Sequence, residues 1–552
     1  MKYFFMKKKL KCRAQLIFLA VIFISCGSEK VDLLVYNAKI YTVNSQFEVL
    51  TSLAVLNGKF IDVGGDELIL KYDSDNIINA QGMFIYPGFI DSHCHFFDSA
   101  LSLDDLNLEN SKSFDEVLER LKKYQIEKNK EFIIGRGWDQ NLWSSNNEFP
   151  SKKLLDSIFP ITPVVLERID GHAYLVNQRA LDMAGISFKT EIRGGVIYKE
   201  NQKLTGILID NAMALIDSII PQLSIKEKVI VLKRAEKKVF KFGLTTVSDA
   251  GLEIEDLKLI DSLHKINELS LRVYGMINYS PKNVDYFLQN GPIKTERLTV
   301  RSFKVYLDGA LGSRGAALKE SYTDKREEFG NLIFSINKFE EICYRLARSG
   351  FQLNTHAIGD LSNSIVLNSY NKALRGVSDP RWRLEHAQII DKNDLELLNR
   401  KIIPSVQPTQ AISDMDWAFK RLGEKRIKVS YAYKDLLDRS GKITLGSDFP
   451  VESINPLVTF YSSVSRKSLN GLPEGGFQFK NALSRSEALK GITSWAAYSN
   501  FEELEKGTIS IGKFADFVIL KNDILKIQES SIPRVKVIAT ILNGEVVYSI
   551  PM

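Results

Sequence analysis

Histidines are rare in this chain, and most of them stand in the same kind of context. Of the six, His93 and His95 follow a short apolar run, and His356 and His386 each end another. Residues two apart in a strand face the same side, so His93 and His95 can bind one metal ion together. A single pair of this kind is weak evidence, but two further histidines at strand ends strengthen it. The pattern therefore indicates a metal site.

The segments that carry these histidines belong to a long alternation of strand-like runs and amphipathic helical stretches. This alternation is typical of βα units, and eight such strands predict an α/β fold with a (β/α)₈ barrel. The predicted strands span residues 85–91, 244–249, 271–277, 301–307, 351–356, 382–386, 403–407 and 443–448. Barrel active sites lie at the C-terminal ends of the strands. We therefore expect the four histidines to converge with Asp448, which ends the eighth run.

The ligand types set the expected chemistry. Neutral imidazoles and a carboxylate hold zinc or a similar ion and leave a coordination position open. Such an ion lowers the pKa of a bound water from about 15.7 to about 7, which yields hydroxide at neutral pH. Asp448 can then act as general acid and base, taking a proton from the attacking hydroxide and passing it to a leaving amine. One or two divalent ions are expected. Zinc is the first choice, and iron, manganese, cobalt and nickel are compatible.

The two ends of the chain outside the leader resemble each other. Residues 31–43 and 54–64 are rich in β-branched and aromatic residues with an Asn-Gly turn, and residues 514–520 and 535–548 repeat this pattern. Neither end offers enough strands for a stable core by itself. We predict one small β-sandwich built from 31–84 and 505–552, although two unrelated hairpins would give the same pattern.

The barrel is then assigned to residues 85–504, with an insertion at 99–240 after its first strand. Two strand-like runs, 132–136 and 164–169, lie inside the insertion. An insertion at this point is expected to cover the C-terminal mouth of the barrel and to form part of the pocket.

A basic leader explains the positive net charge. Six of the 73 lysines and arginines lie in residues 1–25, which hold no acid, and the remaining basic residues balance the 67 acids. Nucleic-acid binders usually have a basic excess, so no nucleic-acid partner is expected. An apolar run at 14–24 fits a secretory signal. It resembles a bacterial lipoprotein signal with Cys26 as the lipidated residue, and a plain signal peptide or an uncleaved anchor is the alternative.

Cysteine usage agrees with this interpretation. Beyond the leader and Cys26 only Cys94 and Cys343 remain, too few for a disulfide framework.

Two motifs place the chain in a known family. The segment Pro-Gly-Phe-Ile-Asp-Ser-His-Cys-His at 87–95 and the closing segment at 507–517 resemble the metal-dependent amidohydrolase superfamily, in particular amidohydrolase family 3 and its N-substituted formamide deformylase subgroup. The resemblance covers roughly residues 31–550. It implies the barrel with its flanking sandwich and a hydrolase that acts on carbon–nitrogen bonds other than peptide bonds.

The resemblance also assigns roles residue by residue. His93 and His95 are similar to the ligands of the more buried metal, His356 and His386 to those of a second metal, and Asp448 to the catalytic aspartate. In two-metal members, a lysine on the fourth strand is carboxylated by CO₂ and bridges the ions. Lys304 matches that lysine, and the alternative is a lysine that pairs with Asp308 or faces solvent.

Further residues match subgroup segments. Arg314, in Asp-Gly-Ala-Leu-Gly-Ser-Arg at 308–314, is expected either to bind a substrate carboxylate or to brace its loop. His172 is expected to bind the substrate carbonyl or tetrahedral oxyanion, or else to be structural. Trp138 is a candidate for the pocket wall, and ordinary packing is equally compatible. Glu385 is interpreted as structural, and Asp210 is assigned no role.

The leading hypothesis is a lipid-anchored metallohydrolase of the bacterial cell envelope, periplasmic or associated with the outer membrane. It would cleave an amide or related C–N bond of a small molecule, of the formamide or N-acyl type. The alternatives are an amidohydrolase acting on cyclic amides or esters, and a surface lipoprotein that binds a ligand without turnover. Homo-oligomers are compatible with the sequence.

Overall fold

The computed structural model describes residues 28–143 and 148–551. The predicted signal segment and Cys26 lie outside these residues. Within them, no helix has both the length and the apolar character needed to cross a membrane.

Eight parallel strands form the predicted barrel, which confirms the fold class. Its strands, in chain order and in spatial order, are Phe89–Cys94, Leu244–Leu252, Arg272–Asn278, Leu298–Tyr306, Gln352–Ala357, Trp382–His386, Ile402–Val406 and Thr444–Leu445. The barrel is nearly closed. Its eighth strand returns to the first, where the Asp448 backbone N–H donates to the His93 carbonyl at 2.7 Å.

Two predicted strands differ from the observed ones. The run at 85–91 divides at Gly88 into Phe84–Pro87, which belongs to the sandwich, and the first barrel strand. The eighth strand ends at Leu445 instead of continuing to Asp448. The physical reason is the close packing of Gly446 on the first strand, since a Cβ there would lie 2.5 Å from the His93 nitrogen.

Helices return the chain between the barrel strands. The longest, Ile225–Lys241, begins with a capping box in which Ser224 and Glu227 exchange hydrogen bonds. The other helices of the barrel are Phe96–Leu101, Ile254–Lys265, Pro281–Asn290, Ile336–Leu346, Asp360–Ala373, Pro408–Ser413, Ala418–Ile427, Tyr433–Ser440, Pro456–Ser465, Arg485–Gly491 and Ser494–Ser499. His264 lies on one of these helices, where it is buried and bonds the Leu271 carbonyl.

A β-sandwich packs beside the barrel and takes strands from both chain ends. One sheet is N-terminal, with strands Leu33–Tyr36, Ser52–Leu56, Lys59–Gly64 and Ile77–Asn79. The other sheet joins Lys39–Tyr41, Val49–Leu50 and Phe84–Pro87 to Phe517–Leu520, Val537–Leu542 and Glu545–Ser549. The core between them mixes side chains of both ends, such as Phe60 and Phe517, whose ring centroids are 6.1 Å apart. A buried ion pair from Arg272 to Asp516 ties the sandwich to the barrel.

The insertion forms a separate mixed sheet of six strands, where the sequence indicated two. The strands are Leu106–Asn107, Ile133–Trp138, Val164–Arg168, Ala173–Val176, Gly195–Glu200 and Lys203–Asp210. Helix Phe114–Lys128 accompanies this sheet, with the shorter helices Lys153–Ile158, Gln178–Met183 and Ala214–Asp217. The insertion brings the end of its longest strand, at Asp210, against the loop that follows the fourth barrel strand.

Candidate metal centre

Side chains from two barrel strands and from the loop after the eighth strand meet at the C-terminal end of the barrel. One ligand atom from each of His93, His386 and Asp448 lies within 4.8 Å of the others. His95 joins them, with its Nε2 3.3 Å from Asp448 Oδ1, and the His356 ring centroid lies 4.4 Å from that of His386. The structure thus brings together all five residues that the sequence predicted would converge.

The bonding state of these atoms fits a metal ion. His356 Nε2, both ring nitrogens of His386 and Asp448 Oδ1 are buried without a hydrogen-bond partner in the part of the chain that the structure describes. Buried polar atoms are normally paired, so such a concentration requires an explanation. A divalent ion that accepts these lone pairs supplies one, and imidazole with carboxylate is a donor set suited to transition metals.

Burial also sets the imidazoles in the form that binds a metal. It lowers the pKa of His93 to about 4 and that of His386 to about 3, and it lowers the pKa of His356 well below its ordinary value. All three rings are therefore neutral at neutral pH. Burial raises the pKa of Asp448, but His95, whose Nε2 lies 3.3 Å from Oδ1, and the neighbouring imidazoles outweigh this and hold it below its ordinary value. The carboxylate is therefore ionised.

The backbone is strained where two of these residues stand. His386 has φ 68° and Asp448 has φ 64°, a left-handed conformation that costs a non-glycine residue about 1–3 kcal/mol. His386 is the last residue of its barrel strand, and Asp448 lies three residues after the end of the eighth strand. The turn of the backbone aims each side chain at the centre, and strain of this kind clusters at functional sites.

Glu385 corrects one sequence interpretation. Strand alternation placed it on the face opposite to His386, as a structural residue. In the structure its Oε2 lies 2.5 Å from Nδ1 of His93, and Arg383 pairs with its other oxygen at 2.7 Å. Alternation is correct inside the strand, where Glu385 faces the barrel interior. It fails at the strand's last residue, because the left-handed turn at His386 brings that side chain to the same centre.

We expect Glu385→Gln to weaken metal binding about 10–100-fold, the usual effect of removing a carboxylate that orients a ligating imidazole. Chelator competition followed by elemental analysis measures this affinity. The exposed Glu396→Gln is the matched control and should bind metal like the wild-type protein. Equal affinity in both variants would contradict the orienting role of Glu385.

Lys304 points into the same centre. Its side chain is fully buried on the fourth barrel strand, and its Nζ lies 3.2 Å from His93 Nε2. Burial lowers the pKa of Lys304 to about 8. Asp308, the alternative partner, instead accepts hydrogen bonds from the backbone of Ala317, Ile358 and Gly359 and from Ser362 Oγ. The lysine therefore faces the histidines, and neither solvent nor Asp308.

His172 reaches the centre from the insertion. Its ring centroid lies 5.0 Å from that of His356 and 6.3 Å from that of Tyr306. Its Nδ1 is 2.8 Å from Asp210 Oδ1. Asp210, which the sequence left without a role, is thus a direct partner of a predicted site residue. It ends the strand Lys203–Asp210, which lies outside the two strand-like runs predicted in the insertion, 132–136 and 164–169.

The two predicted substrate-binding residues lie in different surroundings. Arg314 is buried and donates to Asp324 Oδ2 at 3.0 Å, which favours the loop-bracing alternative. Trp138 is buried in the core of the insertion and donates from Nε1 to the Leu166 carbonyl at 2.9 Å. These contacts agree with the packing alternative for Trp138, and substrate binding by either residue stays a prediction.

A cavity of about 780 Å³ opens beside the centre. Its wall includes Gln410, which donates from Nε2 to Asp448 Oδ2 at 3.0 Å, and Phe449, the residue after Asp448. The insertion contributes Arg168 and Asp170 to the same wall. No local sequence pattern pointed to Gln410, because it lies on the helix Pro408–Ser413, 38 positions before Asp448. The volume suits a small-molecule substrate.

Comparisons with known proteins agree with this geometry. A family model described as "Amidohydrolase family" matches residues 76–548. The Arabidopsis thaliana protein LONG AFTER FAR-RED 3 is 32% identical over 94% of this chain and 91% of its own length. The N-substituted formamide deformylase of Arthrobacter pascens is 24% identical over 94% of this chain and 98% of its own. Among solved structures, an uncharacterised metal-dependent hydrolase from Pyrococcus horikoshii matches with a TM-score of 0.73 and 27% identity, over 90% of this chain and 99% of that one.

Proposed function

This chain belongs to the amidohydrolase family, and from that premise we propose that it hydrolyses an amide or a related C–N bond of the formamide or N-acyl type. The observation that carries the proposal is the buried cluster of neutral imidazoles and an ionised carboxylate with unpartnered atoms. The likeness to a formamide deformylase over almost its full length supports the choice of bond.

His93, His95, His356, His386 and Asp448 would hold the metal. When bound, a divalent ion there supplies Lewis acidity. This polarises a carbonyl group and lowers the pKa of water, so that hydroxide is available as the nucleophile at neutral pH. A carboxylated Lys304 would add an anionic ligand. Burial favours carboxylation of Lys304 for two reasons. It lowers the pKa of the lysine, which increases the share of the neutral amine that adds CO₂. The carbamate product is an anion, so the buried ammonium cation beside the imidazoles is removed.

Asp448 is positioned for proton transfer by its two different oxygens. Gln410 holds Oδ2, whereas Oδ1 has no hydrogen-bond partner among the described residues and lies beside His95. We propose that Oδ1 accepts the proton of the attacking water and later donates it to the leaving nitrogen. His172 would bind the oxygen on which negative charge develops. The buried setting strengthens such an interaction, because water does not compete with it.

A substrate panel tests the bond class. Residues 27–552, supplied with zinc, would be assayed on N-substituted formamides, N-acyl amino acids, cyclic amides and esters, with release of amine or alcohol as the measurement. Turnover of formamides or N-acyl compounds supports the proposal. Turnover of cyclic amides or esters alone would overturn the assigned bond, and no turnover by a metal-loaded protein would favour a ligand-binding role.

We also propose that the chain is lipid-anchored through Cys26 in a bacterial cell envelope. The basic leader and its apolar run support this placement. Incorporation of a labelled fatty acid tests it, because labelling should disappear in Cys26→Ala. Labelling that persists in this variant would contradict the anchor.

A further inference from the structure

A carboxylate of the insertion packs against the glycine-containing loop after the fourth barrel strand. Gly309 and Gly315 of this loop flank the side chain of Asp210, which is fully buried. A Cβ at position 309 would lie 2.4 Å from both Asp210 oxygens, and one at 315 would lie 2.7 Å from Oδ2. No other residue type fits at either position while the carboxylate stays in place.

Asp210 holds His172 through two hydrogen bonds. The Asp210 backbone N–H donates to the His172 carbonyl at 3.1 Å, and His172 Nδ1 donates to Asp210 Oδ1 at 2.8 Å. Asp210 has φ 51°, a strained conformation for a non-glycine residue. This pair fixes both the backbone and the ring of His172. Since Nδ1 is engaged, Nε2 is the ring nitrogen left for a substrate.

The contacts of Asp210 are costly for a purely structural residue. Its Oδ2 is buried and has no hydrogen-bond partner among the residues that the structure describes. A buried, half-satisfied carboxylate is less favourable than an apolar side chain in the same space. Three unusual features therefore occur where the insertion meets the metal centre. They are the strained backbone of Asp210, its unpaired oxygen, and two positions, 309 and 315, where a side chain would clash with its carboxylate.

We infer that Asp210 is a positioning residue, which seats the insertion on the barrel loop and thereby holds His172 over the metal centre in a fixed orientation. Gly309 and Gly315 serve to admit its carboxylate. This inference rests on the proposed function for the role of His172 toward substrate. The hydrogen bond and its dependence on the loop can be measured without turnover.

A spectroscopic experiment tests whether Asp210 holds the His172 ring through the Nδ1 hydrogen bond. In protein carrying isotope-labelled histidine, the hydrogen-bonded Nδ1 proton of His172 should give a strongly downfield NMR signal that disappears in His172→Gln. We expect the signal to be lost in Asp210→Ala and shifted in Gly309→Ala. It should be unchanged in Asp217→Asn, a control aspartate of the insertion that is exposed and bonds Tyr174. An unchanged signal in Asp210→Ala would overturn the inference.

Kinetics on the best substrate of the panel test the consequence. Asp210→Ala and His172→Gln should each lower kcat/KM about 10–100-fold, the range expected for residues that bind or orient at a reaction centre. The double variant should be no worse than His172→Gln alone, because Asp210 acts through His172. Additive losses would show that Asp210 acts elsewhere and would overturn the inference.

A compensating pair separates positioning from general destabilisation. Gly309→Ala should impair kcat/KM through its clash with the Asp210 carboxylate. In the background of Asp210→Ala, which removes that carboxylate, the same substitution should cost nothing further. An equal cost in both backgrounds would contradict the proposed fit. If no compound in the panel is hydrolysed, the proposed function fails while the NMR result still decides the seating of His172.

Discussion

Replacing Asp448 with asparagine is expected to lower kcat about 10²–10⁴-fold, the range for loss of a general acid–base group. Asparagine keeps the shape of the side chain and an oxygen that can accept from His95 or Gln410, but it cannot carry the proton. The measurement is steady-state kinetics on the best formamide or N-acyl substrate, with metal content determined on the same samples.

The control for this variant is Asp438→Asn, an exposed aspartate that pairs with Lys434 on the barrel's outer helices. It should keep the wild-type kcat. An unchanged kcat in Asp448→Asn would remove Asp448 from the proton transfer. If the metal content fell together with kcat, the residue would be needed first as a ligand, which its position beside His93 and His386 also supports.

Elemental analysis of residues 27–552 is expected to give about two divalent ions per chain, as in two-metal hydrolytic sites. His93→Ala should lose this metal, since His93 lies between Glu385, Lys304 and Asp448. The control is His264→Ala, which removes a buried histidine that bonds a backbone carbonyl away from the centre. It should keep the wild-type metal content.

Lys304→Ala decides whether the lysine bridges two ions. We expect it to lower both the metal content and the rate, because the carbamate would be a ligand of both ions. About one ion in the wild-type protein, unchanged in Lys304→Ala, would indicate a mononuclear site with an unmodified lysine. No ion even after metal is supplied would contradict the catalytic proposal and favour ligand binding without turnover.

The barrel and the five convergent residues could be predicted because their signals are local. Each strand is a short apolar run, and His93, His356 and His386 stand at or near the end of one. The barrel geometry then requires the strand ends to meet. The composite sandwich could be predicted from the repeated hairpin pattern at the two chain ends.

The supporting contacts could not be predicted because they join distant residues. Glu385 is 292 positions from His93, and no local pattern shows that they meet. Asp210 fits between Gly309 and Gly315, about 100 positions away, so its role depends on how the insertion docks. Two of the inserted strands that were missed show no alternation between a buried and an exposed face: Gly195–Glu200 is half-buried, and Lys203–Asp210 is mostly buried.

The composite sandwich has a consequence for the time course of biosynthesis. Strand Phe84–Pro87 finds its antiparallel partner only in Phe517–Leu520. About 430 residues separate the two strands, so at roughly 5–20 residues per second the earlier strand waits about 20–90 s on the ribosome. The N-terminal half of the sandwich therefore cannot complete its core during translation. The final closure of the molecule is a post-translational event, and nascent chains expose an unpaired strand edge, on which other chains can pair, until the last strands are made.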